Sequence, residues 1–220
     1  MKIHEDYASA GYAHIERLFP AEVAGALLNQ FWSDLKNENV KLTFAQPDVL
    51  TNVVTEVYGP KYPPMTAFLW GTTPIVSMIS GRRLLPSYCF FRIYRRDDRL
   101  KVHVDRDACE HSLSLTLHYS DDAIWPFEIG PVGAASEECA ATFGAEPFTS
   151  IFMRPGDAVM YRGPELAHGR TAPNPNGWSA HLFMHWVDAD GPHRDLAFET
   201  IEQHTATITD AKGSADNTSS

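Results

Sequence analysis

Cysteine is scarce in this sequence. Among 220 residues there are three, Cys89, Cys109 and Cys139, odd in number, widely spaced and without a Cys-x-x-Cys pair. Neither a disulfide framework nor a zinc ribbon is suggested, and the pattern fits a reducing compartment. Long apolar runs are also lacking. The longest candidate, 62–79, is broken by prolines, Gly71 and a serine, so no membrane span is expected. The first residues, Met1-Lys2-Ile3-His4-Glu5-Asp6, turn acidic at once, which does not read as a signal peptide. Basic charge is in deficit: 18 Lys and Arg face 28 Asp and Glu, for a net charge of −10. Such a surface repels phosphate backbones. The Arg82–Arg83 and Arg95–Arg96 pairs are too short to reverse that. The absences together predict a soluble, cytoplasmic protein with no nucleic-acid or membrane partner. They leave the oligomeric state open.

What is present is enough for one folded unit. Hydrophobic residues make up 44% and charged residues 21%, the usage of an ordinary globular domain. A single domain is expected over 1–204. Its first part, 20–80, reads as helical. Pro20 suits a first helical turn; Val23, Leu27, Phe31 and Leu35 follow at four-residue steps. Asp48–Tyr58 repeats the pattern more weakly before Gly59-Pro60, and 62–79 reads as a third helix.

The second part, 86–190, changes period. Ser87–Arg95, Leu100–Asp105, Ser112–Tyr119, Ser150–Met153, Ala158–Tyr161 and Ser179–Val187 are short, alternating or β-branched segments punctuated by Pro-Gly, Gly-Pro and Asn-Gly. Helices first and strands later predict an α+β fold, with helices buttressing one face of an antiparallel jelly roll. The small and polar stretch 132–147 reads as a long loop, a candidate lid. The tail 205–220 lacks large apolar residues and is expected to be disordered.

Four His-x-Asp/Glu pairs occur: His4/Asp6, His14/Glu16, His103/Asp105 and His193/Asp195. One stands apart by context. Leu100-Lys101-Val102-His103-Val104-Asp105 alternates, so a strand places the imidazole and the carboxylate on one face. Downstream, the Pro155-Gly156-Asp157 turn leads into a short apolar strand, and His168 follows. Two imidazoles and one carboxylate leave three positions of an octahedral metal open, the arrangement suited to Fe(II) and O₂ chemistry. Structural zinc prefers a fourth protein ligand and thiolates. His118 and His185 read first as core or pocket residues.

The order of strand, His-x-Asp, Pro-Gly-Asp turn and distal histidine resembles the Fe(II)/2-oxoglutarate-dependent dioxygenases. The run Phe91-Arg92-Ile93-Tyr94 followed by Leu100 and His103-Val104-Asp105 is similar to their prolyl-hydroxylase-like branch. With 155–187 the resemblance spans about half the chain. It implies a cupin-like double-stranded β-helix, iron held by His103, Asp105 and His168, and 2-oxoglutarate and O₂ as cosubstrates. The family usually binds the far carboxylate of 2-oxoglutarate with an Arg or Lys on the last core strand. Here that place reads Trp178-Ser179-Ala180-His181, with neither. Arg170 is the substitute expected, completed by Ser179 and His181, with Tyr94 donating a hydrogen bond. Trp125 and Phe127, just before the loop, are candidate substrate contacts. The reaction implied is hydroxylation of a small or amino-acid-like molecule, with release of succinate and CO₂. Retention of Asp105 argues against halogenation and leaves a desaturation or ring-forming variant open beside hydroxylation. Two other readings stay open: a cupin-type dioxygenase or isomerase that does not use 2-oxoglutarate, and a non-catalytic jelly-roll binding module.

Overall fold

A computed structural model of the chain describes residues 1–131 and 139–200. The tail 205–220, and 132–138 of the expected lid, lie outside the described residues. In chain order the elements are β1 (Lys2–His4), α1 (Tyr7–Ala10), β2 (Tyr12–Glu16), α2 (Ala21–Lys36), β3 (Thr43–Ala45), β4 (Val54–Tyr58) and α3 (Pro63–Ser80). Then come β5 (Leu84–Arg95), β6 (Leu100–His103), β7 (His111–Tyr119), β8 (Phe127–Ile129), β9 (Thr149–Ile151), β10 (Ala158–Tyr161), β11 (His168–Arg170) and β12 (Trp178–Asp188). The strands form two antiparallel sheets. One has eight strands in the order β1-β2-β10-β7-β12-β5-β4-β3; the other has four in the order β6-β11-β8-β9.

Helix α2 begins behind Pro20, with Glu22 in its first turn and Lys36 in its last, each favoured by the helix dipole. Its buried face is Ala24, Leu28 and Phe31. That is rotated from the expected stripe, because Val23 is exposed and Leu27 and Leu35 are only partly buried. Helix α3 opens on Pro63 and Pro64 and stops at Gly81, whose φ of 68° suits a residue without Cβ. Trp70 of α3 lies on its solvent side at 56% exposure.

The expectation of a second helical segment over Asp48–Tyr58 is corrected, and with it a wholly helical 20–80. Val54–Tyr58 is a strand paired with β5, and β3 pairs on its other side. Thr55 and Val57 are β-branched, and the residues they pair with on β5, Ile93 and Phe91, extend the same sheet. Sheet pairing overrides a weak helical period.

Period-two alternation divides the large sheet into two faces. On β12, Ala180, Leu182, Met184 and Trp186 pack with Cys89 and Phe91 of β5, with Leu113 and Leu115 of β7, and with the buried faces of α2 and α3. The intervening residues, Ser179, His181, Phe183 and His185, point to the opposite face. There Tyr94 and Phe183 meet Leu100 and Trp125. Val159 and Tyr161 meet Phe127, Ile129 and Ile151 of the small sheet. The space between the two sheets is where the polar and ionisable residues collect. No helix among the described residues is long and apolar enough to cross a membrane.

Candidate metal centre

Strand β11 pairs with β6 so that His168 sits opposite His103. Gly169 permits this closeness, since a Cβ there would meet the Leu100 carbonyl at 2.8 Å. Asp105 follows the end of β6, and its N–H donates to the Gly163 carbonyl at 3.0 Å. Gly163 in turn has no room for a side chain: a Cβ would lie 2.6 Å from Asp105 Oδ2.

The three side chains converge. Asp105 Oδ1 is 3.5 Å from His168 Nε2 and 3.7 Å from His103 Nε2. Each histidine makes its other contact to a backbone carbonyl: His103 Nδ1 to Lys101 and His168 Nδ1 to Leu166, both at 2.8 Å. A carbonyl only accepts, so each Nδ1 carries the proton and each Nε2 presents a lone pair. Two bare nitrogens and a carboxylate thus face one another, a donor set that fits a divalent cation. Burial pushes His103 down to about 4, reinforced by His168. Burial alone would raise the Asp105 carboxyl, but His168 and His103 hold it below the usual range. The other three His-x-Asp/Glu pairs assemble no such group among the described residues; His4 instead pairs with Glu16 at 2.8 Å.

Asp105 also groups with Cys109 and His185. Burial pushes the Cys109 thiol well up, and it shares a contact of 3.1 Å with the Tyr88 hydroxyl. In the absence of a cation this favours the protonated thiol.

The His103, Asp105 and His168 trio lines a cavity of about 410 Å³, within the range of small-molecule sites. Its walls include Tyr88, Phe90, Phe183, His185, Arg92 and Arg106. Arg92 is buried and bound to buried Glu56 at 2.5 Å, with Nη1 donating to Tyr94 at 3.0 Å. Glu56→Ala strands that guanidinium and is expected to lower unfolding free energy by about 3–5 kcal/mol. Replacing both partners by Met should recover most of the loss in urea titrations.

The residues expected to bind 2-oxoglutarate are brought together, but behind the cavity lining. Arg170, Tyr94, Ser179 and His181 are all fully buried. Arg170 donates to the Trp125 carbonyl, and its Nη2 lies 3.5 Å from His181 Nδ1. His181 Nε2 then donates to Ser179 Oγ at 3.1 Å. Among the described residues no carboxylate lies at ion-pair distance from Arg170, and its Nε has no partner. Trp125 and Phe127, expected to touch substrate, are fully buried and stand outside the lining. Trp125 lies under the Arg170 guanidinium at 5.0 Å, and Phe127 stacks on His168 at 5.6 Å.

Sequence reasoning gave no site role to Arg92 or Ser112 and read His185 first as a core or pocket residue. The alternation of β12 carries a signal for His185: Ser179, His181, Phe183 and His185 share one face of one strand.

Burial holds several histidines neutral in the metal-free fold: His103, His111 and His185 are each lowered from 6.5 to about 4, and burial with the neighbouring Arg170 holds His181 well below 6.5. The unfolded chain takes up these protons near 6.5, and the fold resists them until about 4. Stability should therefore be full above pH 6.5 and decline as pH falls toward 4. Urea midpoints of metal-free protein measured across that interval check this; a flat profile contradicts it.

No protein-family model and no curated protein matches the chain. Solved structures do. The non-heme alpha ketoglutarate dependent carbocyclase SnoK from nogalamycin biosynthesis is 16% identical, with a TM-score of 0.64 over 84% of this chain and 82% of that one. A Pseudomonas putida prolyl-4-hydroxylase is 14% identical, with a TM-score of 0.58 over 83% and 95%. HygX from Streptomyces hygroscopicus, solved with nickel, 2-oxoglutarate and hygromycin B, is 13% identical, with a TM-score of 0.61 over 84% and 85%. At these identities the likeness concerns the fold. This chain has the fold of the non-haem Fe(II)/2-oxoglutarate-dependent oxygenases.

Proposed function

We propose that the chain is a non-haem Fe(II)/2-oxoglutarate-dependent oxygenase, a single domain over 1–204 whose facing sheets form a double-stranded β-helix. The observation that carries this reading is the convergence of two bare imidazole nitrogens and the Asp105 carboxylate at a cavity wall, within a chain of that fold. His103, Asp105 and His168 would hold the iron, and three protein ligands leave positions for cosubstrates. When bound, iron and 2-oxoglutarate together activate O₂, with the keto acid leaving as succinate and CO₂.

The chain's own residues supply orientation. Arg170 is the proposed holder of the far carboxylate of 2-oxoglutarate. A fully buried guanidinium without a carboxylate partner is costly and is relieved by an incoming anion. Ser179 accepts from His181 and from Asn174 Nδ2, which leaves its own proton for that carboxylate. Tyr94 packs edge-on against Trp125 and His181 and completes the pocket. Arg92 reaches the cavity but is already matched by Glu56, which is why Arg170 is preferred. The apolar walls exclude water from the reacting atoms. The inferred reaction is hydroxylation of a small or amino-acid-like molecule in the cytoplasm, consistent with three free cysteines.

The test is succinate formation. Purified protein given Fe(II), 2-oxoglutarate and O₂ should release succinate slowly without a prime substrate and faster in a metabolite screen that contains it. No succinate under any condition would remove the oxygenase reading.

A further inference from the structure

Among the described residues, one histidine of the cavity lining carries a buried nitrogen with no partner: Nε2 of His185. The residue is 3% exposed. Its tautomer follows from its other nitrogen. Ser112 Oγ lies 2.9 Å from His185 Nδ1, 2.9 Å from Asp105 Oδ2 and 3.2 Å from the Cys109 carbonyl. The carboxylate and the carbonyl only accept, and the hydroxyl has one proton. Ser112 therefore gives that proton to one of them and accepts from Nδ1. Nε2 is left with a lone pair alone, and an unmatched buried acceptor is costly.

The surroundings define what would satisfy it. The Tyr88 ring stacks on the imidazole at 4.5 Å, and Phe90 stacks on Phe183 at 4.8 Å. Pro47 and Val49 add apolar wall. Both cations of the lining carry their own carboxylates, Arg92 with Glu56 and Arg106 with Glu199. Apart from the His103, Asp105 and His168 trio, which faces the metal position, the cavity around His185 therefore offers flat π faces, an acceptor and no unmatched cation. A nitrogen of His185 lies within 4.8 Å of an Asp105 carboxylate oxygen, which sets this residue beside the trio.

We propose that His185 Nε2 is the acceptor that orients the substrate, and that the substrate is a flat, uncharged small molecule bearing a hydroxyl or N–H donor. This deepens the oxygenase reading and rests on it. His185 acts as a positioning and specificity-determining residue, with Ser112 fixing its tautomer.

The experiment uses full-length protein loaded with Ni(II) and 2-oxoglutarate, titrated calorimetrically with 2-naphthol and with its methyl ether, which lacks the donor. Wild type should prefer 2-naphthol by roughly tenfold, the worth of one buried hydrogen bond. His185→Leu should bind the two alike. His185→Gln, whose amide oxygen can replace Nε2 as acceptor, should keep part of the preference. Equal affinities in wild type, no binding of either probe, or a preference that survives in His185→Leu would overturn the proposal. The visible band of Fe(II) with 2-oxoglutarate is read separately on wild type and on His185→Leu. Its absence in wild type refutes the oxygenase reading, whereas a band with equal probe affinities refutes this inference alone.

Discussion

His103→Ala is expected to fold and to lose Fe(II) affinity by at least about a hundredfold, more than changes outside a ligand set usually cost. The imidazole is one of only two nitrogens in the trio, and the nearest other histidine with a bare nitrogen, His185, belongs to the opposite sheet. Folding should survive because His103 lies at the cavity edge rather than in the main core. Removing it also takes away one of two lone pairs that face each other when no cation lies between them. Equilibrium metal binding with a competing chelator, together with a urea titration of metal-free protein, separates the two effects. Retained tight binding would mean that iron, if bound at all, is held elsewhere.

Arg170→Leu is expected to raise the dissociation constant for 2-oxoglutarate by about a hundredfold, the combined worth of two charge-assisted hydrogen bonds. Iron binding should stay within about twofold, because Arg170 makes no contact with the ligand atoms and acts on the far end of the cosubstrate. The comparison variant is Arg92→Leu. Arg92 lines the cavity yet is matched by Glu56, so its loss should weaken 2-oxoglutarate much less while destabilising the fold through the stranded Glu56. The reverse ranking of the two variants would move the anchor to Arg92. Arg170→Lys should fall between, since an ammonium keeps the charge but not the planar fork.

Much of the site was legible because its signals are local. His103 and Asp105 are two residues apart on an alternating segment, and His168 follows a Pro-Gly-Asp turn whose Gly156 has a φ of 90°. The long strands β5, β7 and β12 announce themselves through aromatic and β-branched alternation. What was not legible depends on pairing across long stretches of chain. The strand β4 looked weakly helical until its partners on both sides were known. The Arg92–Glu56 pair joins residues 36 apart, and Ser112–His185 joins residues 73 apart; neither spacing carries a motif. Asp105 lies beyond the end of its strand and is held by Gly163, a residue whose role appears only when the Asp105 side chain is seen against it. Trp125 and Phe127 look like substrate aromatics from their place before a loop, yet both are fully buried, beneath Arg170 and against His168. An aromatic run cannot distinguish a cavity wall from the layer beneath it.

Binding of iron by the His103, Asp105 and His168 trio, together with 2-oxoglutarate, is tested most directly by anaerobic titration of the wild-type protein with Fe(II) and then 2-oxoglutarate under a visible spectrometer. A weak charge-transfer band should grow to one equivalent of iron only after the keto acid is added, and the His103→Ala variant should show none. Bound iron without a band would point to a cupin-type enzyme, and no bound iron to a binding module; either result would contradict an Fe(II)/2-oxoglutarate centre at this trio.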